Sequence, residues 1–271
     1  MIRKLVATAI CFAALGAASM SFAEETSAEA SIFDGNAPFL PSAKQDPLES
    51  LNRKVFDFNQ AMDTVFITPI SKIYNTLIPF PIRQGADNVF DNIALLPSTA
   101  NDLLQGEFKH ALNDAWRFII NTTFGIGGIF DVATAFELPE HLNDMGITFA
   151  RYGYRNSTYV VLPFLGPTTV RDAVGTAADY YLFTPYPYIK SDWLITGIGV
   201  YRYFTIKAQL LDANNFMNEV ALDPYTFARD AYYQYRNNKI SSGSNSDASE
   251  YLYLNENEPQ DVKPGAEYVS E

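Results

Sequence analysis

Three times in this chain an Asp or Thr stands directly before a proline at the head of an apolar pattern with helical spacing, and this constrains the fold more than any other feature. At Asp46-Pro47-Leu48-Glu49 the carboxylate is placed to cap a helix, and the proline sits at the first helical position, where its missing N–H costs nothing. Leu48, Leu51, Val55, Phe58 and Met62 then recur at spacings of three and four, which predicts an amphipathic helix. Thr68-Pro69 repeats the device ahead of Ile70, Ile73, Tyr74 and Leu77, and Asp223-Pro224 repeats it ahead of Phe227, Ala231 and Tyr235. Residues 82–93, 95–104, 107–123 and 192–212 also favour helix, with breaks at Pro79, Pro81, Pro97, Gly106 and the pair Pro185 and Pro187. The best extended run is 159–162, ended by Pro163, so the expected class is mostly α with few or no strands.

The two ends read differently from the body. Arg3 and Lys4 precede an apolar run at 5–18 and a small-residue end at Ser21-Phe22-Ala23, the order of a secretory signal peptide at 1–23. That run of 14 residues falls short of the roughly 20 a spanning helix needs, so cleavage before Glu24 is expected rather than a retained anchor. Residues 24–43 read as a flexible leader and 241–271 as a disordered acidic tail, which leaves one folded domain at 44–240. Cys11 is the sole cysteine; with the signal removed, the mature chain has none, which excludes disulfides and thiolate catalysis.

Cleavage removes two cations and no acid, taking the formal charge from −12 to −14. Such a balance speaks against nucleic acid and against electrostatic adsorption to anionic lipid, so membrane contact has to be apolar. Every apolar run of the mature chain is interrupted by Gly, Pro or a charge, which excludes spanning by single helices. Shorter amphipathic helices can still lie in an interface or pack as a ring whose outside meets lipid tails.

Little in the residues suggests catalysis. The two histidines, His110 and His141, stand in neither a metal-like nor a nucleophile-like setting, and the spacing of His110 and Asp114 by one helical turn reads as a solvated face. No serine-hydrolase elbow, zinc-protease helix or calcium loop is present, so no catalytic residue, cofactor or metal is expected. Gly125-Ile126-Gly127-Gly128 lacks the Lys and Ser/Thr of a phosphate loop. Its glycines permit a tight turn that presents Phe124, Ile126, Ile129 and Phe130, either as a helix stop or as channel lining.

Several separated blocks stand in order over roughly residues 44–237: Asp46-Pro47-Leu48-Glu49-Ser50-Leu51-Asn52-Arg53, the stretch from Phe124 to Ala133, and Leu162-Pro163-Phe164-Leu165-Gly166-Pro167 with Arg171-Asp172. Ala208-Gln209-Leu210-Leu211-Asp212 and Asp223-Pro224-Tyr225 complete the set. The wording of these blocks resembles the MlaA (VacJ) family of outer-membrane phospholipid-transport components. The resemblance implies a helical doughnut in the inner leaflet of the outer membrane of a Gram-negative bacterium, with an amphipathic channel through it. It implies a non-enzymatic conduit that removes misplaced phospholipids from the outer leaflet and maintains lipid asymmetry, partnered by a porin trimer and the periplasmic lipid carrier MlaC. Two other classes stand beside it, a membrane-bound lipid hydrolase and an adaptor docking on porins.

On that resemblance the channel and hinge candidates are Phe58, Phe124, Gly125, Gly127, Gly128, Phe130, Gly153 and Tyr154, with Arg171 and Asp172 as polar lining or a structural ion pair. The chain departs from the family twice. Family members are lipoproteins, yet bulky Ile10 precedes Cys11 here, so no acyl chain is expected. In the segment resembling the hinge loop, Arg155 and Ser157 stand where the family commonly has glycine, which predicts a stiffer and more polar loop.

Overall fold

Helices turned inside out dominate the computed structural model, which describes residues 46–256; the signal segment, the leader and Cys11 lie outside the described residues. Helix α1 (Glu49–Met62) passes through a single π-helical turn, Asp63–Ile67, into α2 (Thr68–Leu77). The long α3 (Phe80–Gln105) and α4 (Phe108–Thr123) pack as a hairpin about Gly106, whose left-handed backbone (φ 78°) ends α3. Then come α5 (Met145–Arg151), strands β1 (Tyr159–Leu162) and β2 (Gly166–Thr169), α6 (Val170–Phe183), α7 (Asp192–Gln209), α8 (Leu211–Val220) and α9 (Pro224–Glu256). The class is mostly α with one small antiparallel sheet, in which Tyr159 faces Thr169 and Leu162 faces Gly166.

The apolar stripes point outward. On α4, Phe108, Leu112, Trp116 and Ile119 are exposed, whereas Asp114, Arg117 and Asn121 are buried. On α1 the predicted stripe supplies exposed Leu48, Leu51 and Phe58, while the inward face carries Asn52, Phe56 and Asn59. Most of the completely buried side chains are polar: Asn52, Ser71, Ser98, Asn101, Asp102, Asp114 and Thr148 among them. Such an arrangement is costly in water, where wide apolar patches have no partner. Among the described residues no helix is long and apolar enough to cross a membrane.

Polar interior positions are kept because they are bonded. Asn52 and Asn59 on α1 act as a surrogate strand for the edge of β1. The Asn52 amide donates to the Tyr159 carbonyl (3.1 Å) and its carbonyl accepts from Val161 N (3.0 Å); Asn59 does the same for the Leu162 carbonyl (3.0 Å) and Phe164 N (2.7 Å). Two helical turns separate the two asparagines, so one helix face satisfies four backbone groups of the strand and its turn. An aromatic core then closes over the sheet from Phe56, Tyr159, Tyr225, Tyr232 and Tyr233.

Several local expectations are corrected. Asp46 does not cap α1; it is buried and accepts from Asn52 (2.9 Å) and from the Tyr225 hydroxyl, joining the start of the domain to α9. A helix does begin at Thr68-Pro69, but Thr68 caps nothing: Ile67 before it is already in α conformation, and the π-helical turn runs the backbone through from α1. Asp223 does cap: its carboxylate accepts from Tyr225 N (3.1 Å) and Thr226 N (3.4 Å). Pro97 does not break α3, since Ser98, Asn101 and Asp102 on the following turn are locked to α4, α6 and the 141–143 segment by side-chain hydrogen bonds. Helix α9 continues past 240 to Glu256, into the span assigned by composition to a tail, with no proline to stop it before Pro259.

Candidate functional site

A cavity of about 270 Å³ lies where α1, the β1–β2 turn, α7, α8 and α9 meet. Its walls combine apolar Phe56, Phe164, Ile206, Phe216, Met217 and Phe227 with polar Asn59, Gln60, Asp63, Lys207 and Asn214. The charged pair is internal to the site: Lys207 Nζ donates to Asp63 Oδ2 at 2.8 Å, both side chains being about one-fifth exposed. Asp63 is presented by the π-helical turn, whose extra residue per turn rotates the backbone between α1 and α2. The turn Phe164–Pro167 forms the rim; Phe164 has φ 66° and is held by Asn59 at its N–H and by the Tyr203 hydroxyl at its carbonyl (3.3 Å). Burial pushes the Tyr203 phenol up, so it remains a neutral donor. A mostly apolar cavity with one cation and one anion in its wall can hold an amphipathic molecule with a zwitterionic or anionic head.

The residues singled out from sequence fall in four places. Phe58 braces the rim from outside, its ring edge-on to Phe164 at 5.4 Å. Phe124, Gly125, Gly127, Gly128 and Phe130 form a stop after α4 and are not among the residues lining the cavity; in this stop Gly127 N bonds the Thr122 carbonyl (3.0 Å) and Gly128 N the Asn121 carbonyl (2.9 Å). Phe124 and Phe130 are exposed there, and Gly128 packs so closely on α3 that a Cβ would lie 2.8 Å from Asn92. Gly153 (φ 109°) and Tyr154 form an exposed turn after α5.

Arg171 and Asp172 are buried and bonded to one another, Nε to Oδ1 at 2.8 Å and Nη2 to Oδ2 at 3.1 Å. Arg236 on α9 joins them, donating to Asp172 Oδ1 (2.8 Å) and to both oxygens of Asp144, which caps α5. Burial alone would raise the Asp172 carboxyl, but Arg236 and Arg171 hold it down to about 2. Geometry of this kind makes the pair a bolt between α5, α6 and α9.

His141 corrects the sequence reading. It lies between Asp102 and Asp114, with Nδ1 3.4 Å and 4.0 Å from their Oδ2 atoms, and its ring stacks on His110 at 4.2 Å. Burial opposes charging of this imidazole, yet the two carboxylates raise it to about 9. Ser98 completes the group but is no nucleophile: its hydroxyl is fully buried and donates to Asp114 at 2.5 Å. Asp63 with Lys207, and Asp102 with His141, are separated by long stretches of chain, so no local spacing reveals them.

The MlaA lipoprotein family model matches residues 44–239. The chain belongs to the MlaA family. It is 33% identical over 216 residues to the intermembrane phospholipid transport system lipoprotein MlaA of Haemophilus influenzae, covering 78% of this chain and 85% of that one. The Escherichia coli K12 protein of the same name is 31% identical over 208 residues, covering 74% and 80%. An uncharacterized protein of Rickettsia typhi, RT0044, is 30% identical over 200 residues, covering 74% and 80%. A solved structure described as the structural basis for maintenance of bacterial outer membrane lipid asymmetry superposes with a TM-score of 0.65 at 33% identity, covering 72% of this chain and 98% of that one.

Proposed function

We propose that this MlaA-family chain is a phospholipid conduit of the bacterial outer membrane, taking misplaced phospholipid from the outer leaflet and delivering it toward the periplasm. The carrying observation is the amphipathic cavity beside Asp63 and Lys207, set inside a body whose outer faces are apolar. Outward Trp116, Leu112, Leu51 and Ile73 suit a ring of helices seated among acyl chains. The cavity lowers the cost of carrying a polar headgroup past hydrocarbon, a task that needs no chemical step. Support for the lipid comes from the relatives named for phospholipid transport. A periplasmic carrier of the MlaC kind as acceptor and a porin trimer as scaffold follow from the family resemblance, as does export by a signal peptide.

Reconstituted protein tests this. Native mass spectrometry is expected to find intact phospholipid bound, and Ala231→Trp, which fills the cavity from α9, is expected to lower both lipid occupancy and transfer between vesicles. Released fatty acid would make the protein a hydrolase; neither lipid nor fatty acid would make it an adaptor.

A further inference from the structure

Ligand-type atoms without a hydrogen-bond partner meet at the bend between α3 and α4: Asp102 Oδ2 and His141 Nδ1 are both buried and unpartnered, and Asp102 is fully buried. Asp102 Oδ2 and His141 Nδ1 stand 3.4 Å apart but out of hydrogen-bond alignment, and Asp114 Oδ2 is 4.0 Å from the same nitrogen. Bonds of about 2.0–2.2 Å in a tetrahedral site put ligand atoms roughly 3.3–3.6 Å apart, so the first separation is that of two ligands across one ion, and the second closes with a small shift. Ligand atoms of Asp102, Asp114 and His141 all lie within 4.8 Å of one another, as do those of Glu107, His110 and His141.

We propose that Asp102, Asp114 and His141 bind one divalent transition-metal ion of the zinc type, which staples α3, α4 and the 139–143 segment together. The supporting shell is in place. Asn143 Nδ2 donates to Asp102 Oδ1 at 2.6 Å, and Ser98 Oγ donates to Asp114 Oδ2 at 2.5 Å, leaving that oxygen a second lone pair. Stacking on His110 fixes the imidazole plane. Two fully buried carboxylates need more positive charge than one imidazolium supplies, and a divalent ion provides it. A cavity of about 260 Å³ bordered by His141, Asn143, Arg151 and Lys239 lies beside the imidazole; coordination positions that the protein does not fill would be taken by water. This site lies apart from the lipid cavity, and its test is independent of transport.

Full-length protein in detergent, stripped with chelator and titrated with Zn²⁺, is expected to take up one ion per chain by calorimetry and by metal analysis after desalting. His141→Ala, at a partly exposed side chain, is expected to weaken binding at least about tenfold and to abolish the rise in Tm that Zn²⁺ gives the natural protein, with an unchanged circular dichroism spectrum. X-ray absorption at the zinc edge of the natural protein is expected to show a nitrogen and oxygen shell containing imidazole, a readout that needs no variant. Failure to retain zinc, equal affinity in His141→Ala, or a shell without imidazole would each overturn the proposal and leave the group as an imidazolium held by two aspartates.

Discussion

Arg53 on α1 grips Asp223, the cap of α9, through two parallel hydrogen bonds, Nη1 to Oδ1 at 3.1 Å and Nη2 to Oδ2 at 2.8 Å. The same guanidinium bonds Glu49 (2.8 Å) and lies over the Tyr225 ring at 4.4 Å. Arg53 thereby holds the Asp223 carboxyl well below the usual carboxylate range. The pair ties the first helix of the domain to the start of the last.

Both side chains are about two-fifths exposed, so solvent screening limits the ion pair to less than about 1 kcal/mol. Asp223→Ala also removes the cap, worth about 1 kcal/mol, and is expected to destabilise more than Arg53→Ala. Urea unfolding in detergent, read with both single variants and the double variant, checks this. Equal losses for the two single variants would show that the cap contributes nothing.

Asn52→Leu keeps the size of the side chain but strips the Tyr159 carbonyl and Val161 N–H of their partner. Stranding two buried backbone groups is expected to cost at least about 2 kcal/mol, despite the gain in apolar character. Thermal unfolding and the abundance of folded protein report it. Natural stability for this variant would mean that water replaces the amide.

The outward stripe makes a different demand. Phe58→Asp leaves the interior untouched but sets a charge where acyl chains are expected and removes the ring that braces Phe164. Insertion into vesicles is expected to fall more than helix content. Unchanged insertion would show that this face meets water.

Asp179 provides the pH dependence. Burial, reinforced by the neighbouring Asp144, raises its carboxyl to about 7 although Asn101 and Met145 N donate to it. A raised acid binds more protons folded than unfolded, so its contribution is fully present below about pH 4 and is lost as pH rises through about 7. Stability is therefore expected to fall by a few kcal/mol between those limits, on the order set by about 1.4 kcal/mol per pKa unit. Asp179→Asn is expected to flatten this slope and to be the more stable protein at pH 8. Parallel pH profiles for the two proteins would refute the assignment.

Gly127 and Gly128 separate conformation from packing. A Cβ at Gly127 (φ 71°) meets nothing within 4 Å, whereas at Gly128 (φ 90°) it also collides with Asn92, whose amide bonds Thr122 at 2.9 Å. Gly127→Ala is expected to cost about 1 kcal/mol and Gly128→Ala clearly more, with transport per folded molecule unchanged in both. Reduced transport per molecule in either variant would return this turn to the lipid path.

Periodicity and helix punctuation in the sequence determined that the chain is mostly helical, where α3 ends at Gly106, that Asp223-Pro224 opens α9, and that 159–162 is extended. These are local matters, decided by side-chain spacing and by the backbone limits of proline and glycine. Which face of each helix is inside was not local. An apolar stripe on α1 has the same spacing whether it packs on protein or on acyl chains, and only the placement of Asn52 and Asn59 against β1 showed that it faces outward. The same holds for Asp46, whose capping position gave way to a bond with Asn52 and a long-range one with Tyr225, and for Pro97, held in a helix by neighbours fixed to α4, α6 and the 141–143 segment. Lys207 with Asp63, and His141 with Asp102 and Asp114, are pairings made by folding alone, because side chains distant in sequence carry no periodic signal of the contact they will make.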